Sequence, residues 1–207
     1  MALEARQRGI RRRTWLLAGV AIPLSGLMAE QALDVKFDGD TLRPVVPGFH
    51  FLTGKALDRL KDARTVVFLS RLTLYSDDHV TVFRQVPQRF FVSYAIWDEK
   101  FKVTIPGATP ESSLWPTAAQ AENWCMENLA ISALGMAPDR PFWLRFDLST
   151  ADPRDLSRVW TDSGISVSGL IEIFSRRPDP REPHVSVEKR LRLMDLRRVS
   201  SRGSRNG

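Results

Sequence analysis

Residues 65–97 read TVVFLSRLTLYSDDHVTVFRQVPQRFFVSYAIW. Residues 65–75 and 80–97 are rich in β-branched and aromatic side chains, which favour strands. The four residues between them, 76–79, have the composition of a turn. The stretch therefore predicts a long antiparallel hairpin. Pro87 cannot donate a ladder hydrogen bond, so it predicts a bulge or a sheet edge within the second strand.

Alternation of apolar and polar residues continues on both sides of this hairpin, and a period of two residues is typical of strands. It predicts further strands at 33–37, 45–52, 101–105, 142–148 and 185–193. The strand at 142–148 is expected to have one face in water, because polar residues occupy alternate positions. The leucine spacing of 185–193 also suits an amphipathic helix, so both structures stay open there.

Three segments have signals of helices instead of strands. Thr117 and Gln120 form a capping box, and apolar residues then recur at helical spacing before Gly135, which predicts a helix over 117–134. Thr53 and Ser166 are each expected to begin a short helix. The predicted fold class is therefore α+β, with an antiparallel β-sheet or sandwich of about six to eight strands covered by one main helix and short helices.

The first 29 residues have the pattern of an export signal, with a basic head followed by a short apolar stretch. Arg12 and Arg13, followed by Trp15 and Leu16, resemble the twin-arginine signal of bacteria, although an ordinary basic head with adjacent arginines fits equally well. The apolar stretch 15–28 is shorter than the roughly 20 residues of a spanning helix. A cleaved signal is therefore favoured, and retention as an N-terminal anchor stays open.

Charge is unevenly distributed along the chain. Residues 1–29 contain five arginines and one glutamate, and residues 176–207 contain ten basic and four acidic side chains. The body between them, 30–175, has fifteen basic and nineteen acidic side chains. A nucleic-acid-binding domain is expected to be basic over its folded surface. The acidic body therefore argues against a nucleic-acid partner.

These shifts in composition predict four segments. They are an export signal or N-terminal anchor at 1–29, a single α+β domain at 30–178, a basic C-terminal strand or helix at 179–198, and a disordered tail at 199–207. The C-terminal arginines are candidates for electrostatic contact with an anionic lipid surface or an acidic partner, while a solvated surface is the alternative. These arginines are Arg176, Arg177, Arg190, Arg192, Arg197 and Arg198.

Few residues of the chain offer catalytic or metal-binding chemistry, and no catalytic, cofactor or metal site is predicted. Asp77, Asp78 and His79 are the one local cluster of metal-capable side chains, and turn formation is their expected role. Cys125 is the single cysteine and lies on the predicted buried stripe of a helix. Five aromatic residues could line a pocket for a small apolar ligand or could form a core. They are Phe90, Phe91, Tyr94, Trp97 and Phe101.

Two segments, 82–103 and 164–176, resemble a family of bacterial exported proteins that is classed as a domain of unknown function. The resemblance covers about residues 30–197 of this sequence. It implies a location in the cell envelope and supplies no activity, so no functional residue is carried over from it.

The sequence leads to three hypotheses about function. The first is an exported binding or accessory module of the cell envelope without catalytic activity, in the periplasm or on the outer side of the cytoplasmic membrane. Its partner would be an envelope protein or a small apolar ligand, with only transient membrane contact through the signal. The second is an envelope hydrolase with a non-local active site, which requires a pocket holding convergent polar side chains that include Asp77, Asp78 or His79. The third is a membrane-tethered interaction module.

Overall fold

The computed structural model of the chain describes residues 32–151, 160–161, 164–165, 167–175 and 181–197. Several predicted features lie outside these residues. They are the export signal with Arg12, Arg13, Trp15 and Leu16, the tail at 199–207, the helix start at Ser166, and Arg176, Arg177 and Arg198.

The described residues form antiparallel sheets and short helices, which confirms the predicted α+β class. The strands are β1 Asp34–Asp38, β2 Thr41–Val45, β3 Val66–Ser76, β4 Val82–Ala95, β5 Lys100–Ile105, β6 Glu111–Trp115, β7 Ile131–Ser132, β8 Phe142–Ala151, β9 Trp160–Thr161, β10 Gly164–Ile165 and β11 His184–Leu191. The helices are α1 Gly54–Lys61, α2 Ala118–Glu127 and α3 Val167–Ser175, with a 3-10 turn at Leu193–Asp195.

The strands are arranged in two main sheets and one small pair. A six-stranded sheet has the order β11-β8-β3-β4-β5-β6, and a three-stranded sheet has the order β1-β2-β7. Strands β9 and β10 pair with each other. Every strand pair in these sheets is antiparallel, as the alternating sequence pattern predicts.

The predicted hairpin forms the middle of the six-stranded sheet as β3 and β4. Pro87 lies opposite Arg71 of β3, and β5 pairs only with Phe91 to Ala95 of β4. Pro87 therefore lies where β3 is the one strand neighbour among the described residues, and proline is tolerated on such an edge. This confirms the predicted edge. The register shift of the hairpin lies elsewhere, between Leu74 and Tyr75.

One face of the six-stranded sheet contributes to a single apolar cluster, which also contains side chains of the three-stranded sheet and of helices α1 and α2. Phe68 and Leu72 of β3 and Phe146 of β8 are fully buried in it, and Leu42 and Ile131 join it from the smaller sheet. Burial of a side chain of this size contributes about 1.5–3 kcal/mol. Apolar burial is thus the main stabilisation, as is expected for a chain with a single cysteine.

The opposite face of the six-stranded sheet carries a buried ionic cluster. Asp147 of β8 is 1% exposed, so the expectation of a water-exposed face on this strand was wrong. Its Oδ2 accepts from Nε and Nη2 of Arg71 at 3.1 and 2.9 Å, and its Oδ1 accepts from Nε of Arg145 at 3.0 Å and from the Ser186 hydroxyl at 2.7 Å. Phe174 of α3 lies over the Arg71 guanidinium at 4.2 Å.

The prediction of a second strand at 45–52 was also wrong. Strand β2 ends at Val45 and a loop follows, because Gly48 adopts a positive φ of 70° and the backbone N–H of Phe49 turns back to the Val46 carbonyl. The N–H groups of Phe51 and Leu52 donate to the side chain of Glu122. These donors are satisfied by a carboxylate and not by a neighbouring strand.

The main helix was predicted correctly at its start and wrongly at its end. The backbone N–H of Gln120 donates to the Thr117 hydroxyl at 3.3 Å, as the capping box predicts. The helix ends at Glu127, well before residue 134, because Asn128 turns both its backbone N–H and its side-chain amide onto the Trp124 carbonyl. The chain then forms β7, which pairs with β2. The shortened helix packs against β2, β5 and β6.

The remaining helix and strand predictions are largely confirmed. Helix α1 follows Thr53, although the Thr53 side chain makes no capping hydrogen bond, which corrects the predicted cap. The segment for which strand and helix were both open is the strand β11, paired with β8 along its whole length. Within the described ranges, none of the helices has both the length and the apolar character needed to cross a membrane.

The ionic cluster gives a prediction for stability. The change Asp147→Asn should lower the free energy of unfolding by about 3–5 kcal/mol, because it leaves two partly buried arginines without their buried counter-charge. Urea denaturation measures this loss. The matched change Glu188→Gln removes a carboxylate from an exposed pair with His79 and should cost less than about 1 kcal/mol. Equal losses for the two variants would show that the buried cluster does not stabilise the fold.

Candidate functional site

The candidate site is a cleft at one end of the space between the two main sheets, which we call the mouth cleft. Its volume is about 640 Å³, which is within the range of small-molecule sites. Buried Leu74 and Phe142 line it from the core. The hairpin contributes Ser76, Asp77, Asp78, Phe83 and Arg84. Strand β7 contributes Ser132, and the loop before β8 contributes Leu134, Gly135, Met136, Ala137, Arg140 and Pro141.

The hairpin wall is shaped by the turn between β3 and β4. The Asp78 carboxylate accepts from the Ser76 hydroxyl and from the backbone N–H groups of Val80 and Thr81, the latter two at 2.9 and 3.3 Å. The Ser76 hydroxyl hydrogen bond, followed by the two backbone ones, holds the pKa of the Asp78 carboxyl below its ordinary value of 3.8. Asp78 therefore stays ionised as a turn former, which is its predicted role and makes it a poor general acid.

The loop wall begins where β7 ends. The Ala133 backbone N–H donates to the Asp40 carbonyl at 2.7 Å, which fixes the loop to the β1–β2 turn. Gly135 has a φ of 85°, a conformation that glycine adopts without strain. The N–H of Leu134 donates to the Ser132 hydroxyl at 3.2 Å. These contacts turn the Leu134 side chain outward, where it is 62% exposed.

A guanidinium connects the two walls. Arg84 of β4 donates from Nη1 to the backbone carbonyl of Ser132 in β7 at 2.5 Å. Asp77, on the same hairpin, accepts from Nε of Arg190 in β11 at 2.7 Å. Arg140 on the loop is exposed and makes no ion pair or side-chain hydrogen bond with any residue that the structure describes. The mouth cleft thus combines paired and unpaired charges.

Beside these charges the mouth cleft has apolar side chains in contact with water. Phe83 is 58% exposed and Leu134 is 62% exposed, and Met136 is half-buried. Exposed apolar groups beside a concave surface are characteristic of a binding site. The cleft can therefore shelter an apolar body of small-molecule size.

An aromatic stack on the far side of the turn holds the hairpin end to its neighbours. The His79 ring stacks on Tyr75 with centroids 5.1 Å apart and meets Trp143 edge-on at 5.0 Å. His79 Nε2 also lies 3.1 Å from a Glu188 carboxylate oxygen of β11. His79 adopts a positive φ of 60°, so these contacts stabilise a strained turn residue.

A second arrangement with chemical potential lies at the loop after β2. Glu122 is 4% exposed and accepts on Oε1 from the N–H groups of Phe51 and Leu52 at 2.7 and 2.6 Å. Its Oε2 lies 2.7 Å from Nδ1 of His50, whose side chain is 59% exposed. His50 and His184 both line a cleft of about 810 Å³, and burial lowers the pKa of His184 below its ordinary value of 6.5.

The structure places the predicted chemical residues in structural roles. Cys125 is fully buried, and this burial, followed by the charge of Glu122, raises the pKa of its thiol above the ordinary value of 9.0. Within the described ranges, no three side chains of His, Cys, Asp or Glu are placed so that they could hold a metal ion together. Asp77 and Asp78 do line a cleft, which is the arrangement that the hydrolase hypothesis requires.

The five predicted aromatic residues do not form one pocket. Phe90 and Phe101 are buried in the core, and Tyr94 packs against that core. Trp97 is 98% exposed on the β4–β5 turn. Phe91 lies on the opposite face of β4 from Phe90, since successive residues of a strand point to opposite faces. Of the two possibilities, the core is therefore confirmed for Phe90, Phe101 and Tyr94, and a ligand pocket shared by all five residues is not supported.

The described C-terminal arginines have different environments. Arg190 pairs with Asp77 at 2.7 Å, so it is part of the fold as well as of the surface. Arg192 and Arg197 are exposed. Electrostatic contact with an anionic surface stays a prediction for these residues.

The loop residues of the mouth cleft were not predicted from the sequence, because they lie in or after the predicted helix. Arg84 was not predicted either, although the strand pattern contains one indication of it. Arg84 is an even number of residues from core-facing Val86 and Phe90, so all three side chains lie on the same face of β4. The alternation therefore places a cation on the apolar face near the end of the hairpin. A cation at such a position indicates an opening of the core.

Comparisons with family models, with curated proteins and with solved structures find no match for this chain. The resemblance of 82–103 and 164–176 to bacterial exported proteins therefore stays a prediction. The candidate site is defined by its own geometry.

The turn gives a prediction for pH dependence. Because the folded-state pKa of Asp78 is lower than the unfolded one, its contribution to stability is present above the ordinary value of 3.8 and is lost as the pH falls through the folded-state pKa. Asp78→Asn should therefore be less stable than the parent at pH 7, and the difference should shrink below pH 3.8. Urea unfolding at several pH values measures it. Asp98→Asn, on another exposed turn, is the control, and a pH-independent difference for Asp78→Asn would contradict the assignment.

Proposed function

We propose that the chain is an exported binding module of the cell envelope, without catalytic activity, that holds a small apolar ligand in the mouth cleft. The observation that carries this proposal is a cleft of about 640 Å³ lined by the exposed side chains of Phe83 and Leu134. Burial of such apolar area by a ligand is favourable by about 25 cal/mol per Å². A cleft of this size favours a small molecule over an envelope protein as the partner.

The location in the proposal rests on the sequence of residues 1–29. Their basic head and short apolar stretch are typical of export signals, and Arg12 and Arg13 fit the twin-arginine pattern. The proposed place of action is the periplasm or the outer side of the cytoplasmic membrane. The module is proposed to contact the membrane transiently through this signal.

The proposal predicts that the full chain binds N-phenyl-1-naphthylamine, an uncharged apolar dye whose fluorescence rises on burial. The change Phe83→Ser should weaken binding about tenfold, because a phenyl side chain contributes about 1.5–3 kcal/mol when buried and 1.4 kcal/mol is a factor of ten. Fluorescence titration measures the affinity. Phe83 is already 58% exposed, so its replacement should leave the fold intact.

The matched control is Val80→Ser. Val80 is 78% exposed on the same turn and does not line the mouth cleft. Comparing two variants of the full chain removes the contribution of apolar segments elsewhere, including residues 15–28. Equal dye affinity in the two variants, or no dye binding at all, would overturn the proposed function.

An envelope hydrolase is the second candidate, and the His50–Glu122 pair favours it. A histidine oriented through Nδ1 by a buried carboxylate is the arrangement of a general base. His50 Nε2 has no partner among the residues that the structure describes, and the ring borders a cleft of about 810 Å³. Glu122 also anchors the loop backbone, which explains its burial without catalysis.

Ester hydrolysis distinguishes the two candidates. Under the proposed function, the purified full chain should give no repeated turnover of p-nitrophenyl acetate. Turnover that is lost in His50→Gln and kept in His79→Gln would favour the hydrolase, because general-base catalysis contributes about 10²–10⁴-fold. The membrane-tethered module stays a prediction, since it depends on residues 1–29.

A further inference from the structure

The charged side chains of the mouth cleft differ in how much hydrogen-bonding capacity they have left. Asp77 is in an ion pair with β11, and Asp78 accepts from its own turn. Arg84 uses Nη1 for a backbone carbonyl and keeps its other N–H donors. The guanidinium donors of Arg140 are all free with respect to the part of the chain that the structure describes, and its backbone N–H donates to the Ala137 carbonyl. Among the charged side chains of the cleft, the available donors therefore belong to Arg84 and Arg140.

These donors share the mouth cleft with exposed apolar side chains. Phe83 and Leu134 line the same cleft as Arg84 and Arg140. A guanidinium presents two parallel N–H donors that match a carboxylate or a sulfonate. We propose that the ligand of the mouth cleft is an amphiphile with one negative charge, with its apolar body on Phe83 and Leu134 and its anionic group on Arg140. This inference rests on the proposed function and adds the chemical class of the ligand.

The lining also limits the charge of the ligand. Two carboxylates, Asp77 and Asp78, lie in the cleft together with the two arginines. A second negative charge on the ligand would be close to these carboxylates, and like charges at short distance repel. A carboxylate or sulfonate with one charge is therefore preferred to a phosphate dianion.

Two dyes with the same rings test this inference. N-phenyl-1-naphthylamine is uncharged, and 8-anilinonaphthalene-1-sulfonate adds one sulfonate to it. The full chain should bind the sulfonate about tenfold more tightly, the low end of the effect of a charge-assisted hydrogen bond. Arg140→Gln should abolish that preference, which is the ratio of the two dye affinities measured on the same variant. The preference should also fall with added salt, because an exposed charge pair is screened.

The matched control is Arg64→Gln, which removes the same charge from an exposed side chain outside the mouth cleft. It should keep the preference for the sulfonate. Equal affinity of the full chain for the two dyes, or equal loss of the preference in Arg64→Gln and Arg140→Gln, would overturn the inference. Dye binding that depends on Phe83 but shows no preference for the sulfonate contradicts only the inference. Dye binding that does not depend on Phe83 contradicts the proposed function as well.

Displacement of the bound sulfonate dye repeats the comparison with other apolar bodies. Laurate should displace it more effectively than dodecanol, which has the same alkyl chain without the charge. Equal displacement by laurate and dodecanol would contradict a role for the anionic group. Comparing laurate with 1-naphthoate then identifies whether the cleft prefers an alkyl or an aromatic body, and effective displacement by either anion supports the proposed class.

Discussion

The burial of strand β3 on both of its faces is the constraint on which the rest of the fold depends. Phe68 and Leu72 are fully buried in the apolar core, while Val67 and Leu69 are 3% and 0% exposed on the other face. A strand that is apolar on both faces needs cover on both. Helix α1 and the smaller sheet contribute to the cover of the core face, and α3, which packs on β8, lies over the other. Arg71 of β3 also points to this second face, so its counter-charge must come from within the sheet, and Asp147 of β8 supplies it.

The mouth cleft follows from the unequal lengths of the elements around the core. Strands β3 and β4 have eleven and fourteen residues, whereas β7, which faces the end of the hairpin, has two. The hairpin end therefore has few strand neighbours, and Phe83 stays exposed. Arg84 crosses to the Ser132 carbonyl and holds the two sheets together at this point. The contact between Arg84 and Ser132 thus also places a cation in a partly apolar cleft.

Much of the fold could be predicted from the sequence because alternation and turn composition are local signals. The hairpin at 65–97, strand β1 and the N-terminus of α2 were all predicted correctly. The end of α2 was not, because apolar residues at 129–134 fit a helix as well as the short strand β7, and only pairing with β2 decides between them. The wet face expected for β8 was wrong for a similar reason. Polar residues at alternate positions indicate a solvent-exposed strand face unless a neighbouring element supplies groups of opposite charge. Arg71 of β3 supplies such a group to Asp147.

Local patterns in the chain are enough to assign which side chains share a strand face, where the hairpin turns, and that the folded body is acidic between basic segments. They also imply that stability depends on apolar burial, since the single cysteine excludes an internal disulfide. The meeting of distant groups is visible in the folded chain alone: Glu122 binds the backbone of residues 51 and 52, Asp147 binds Arg71, and Arg84 and Arg140 line one cleft. Periodicity specifies the direction in which a side chain points within its own element. Contacts across about 50 to 80 residues of chain depend instead on strand order and register, and local periodicity does not encode these.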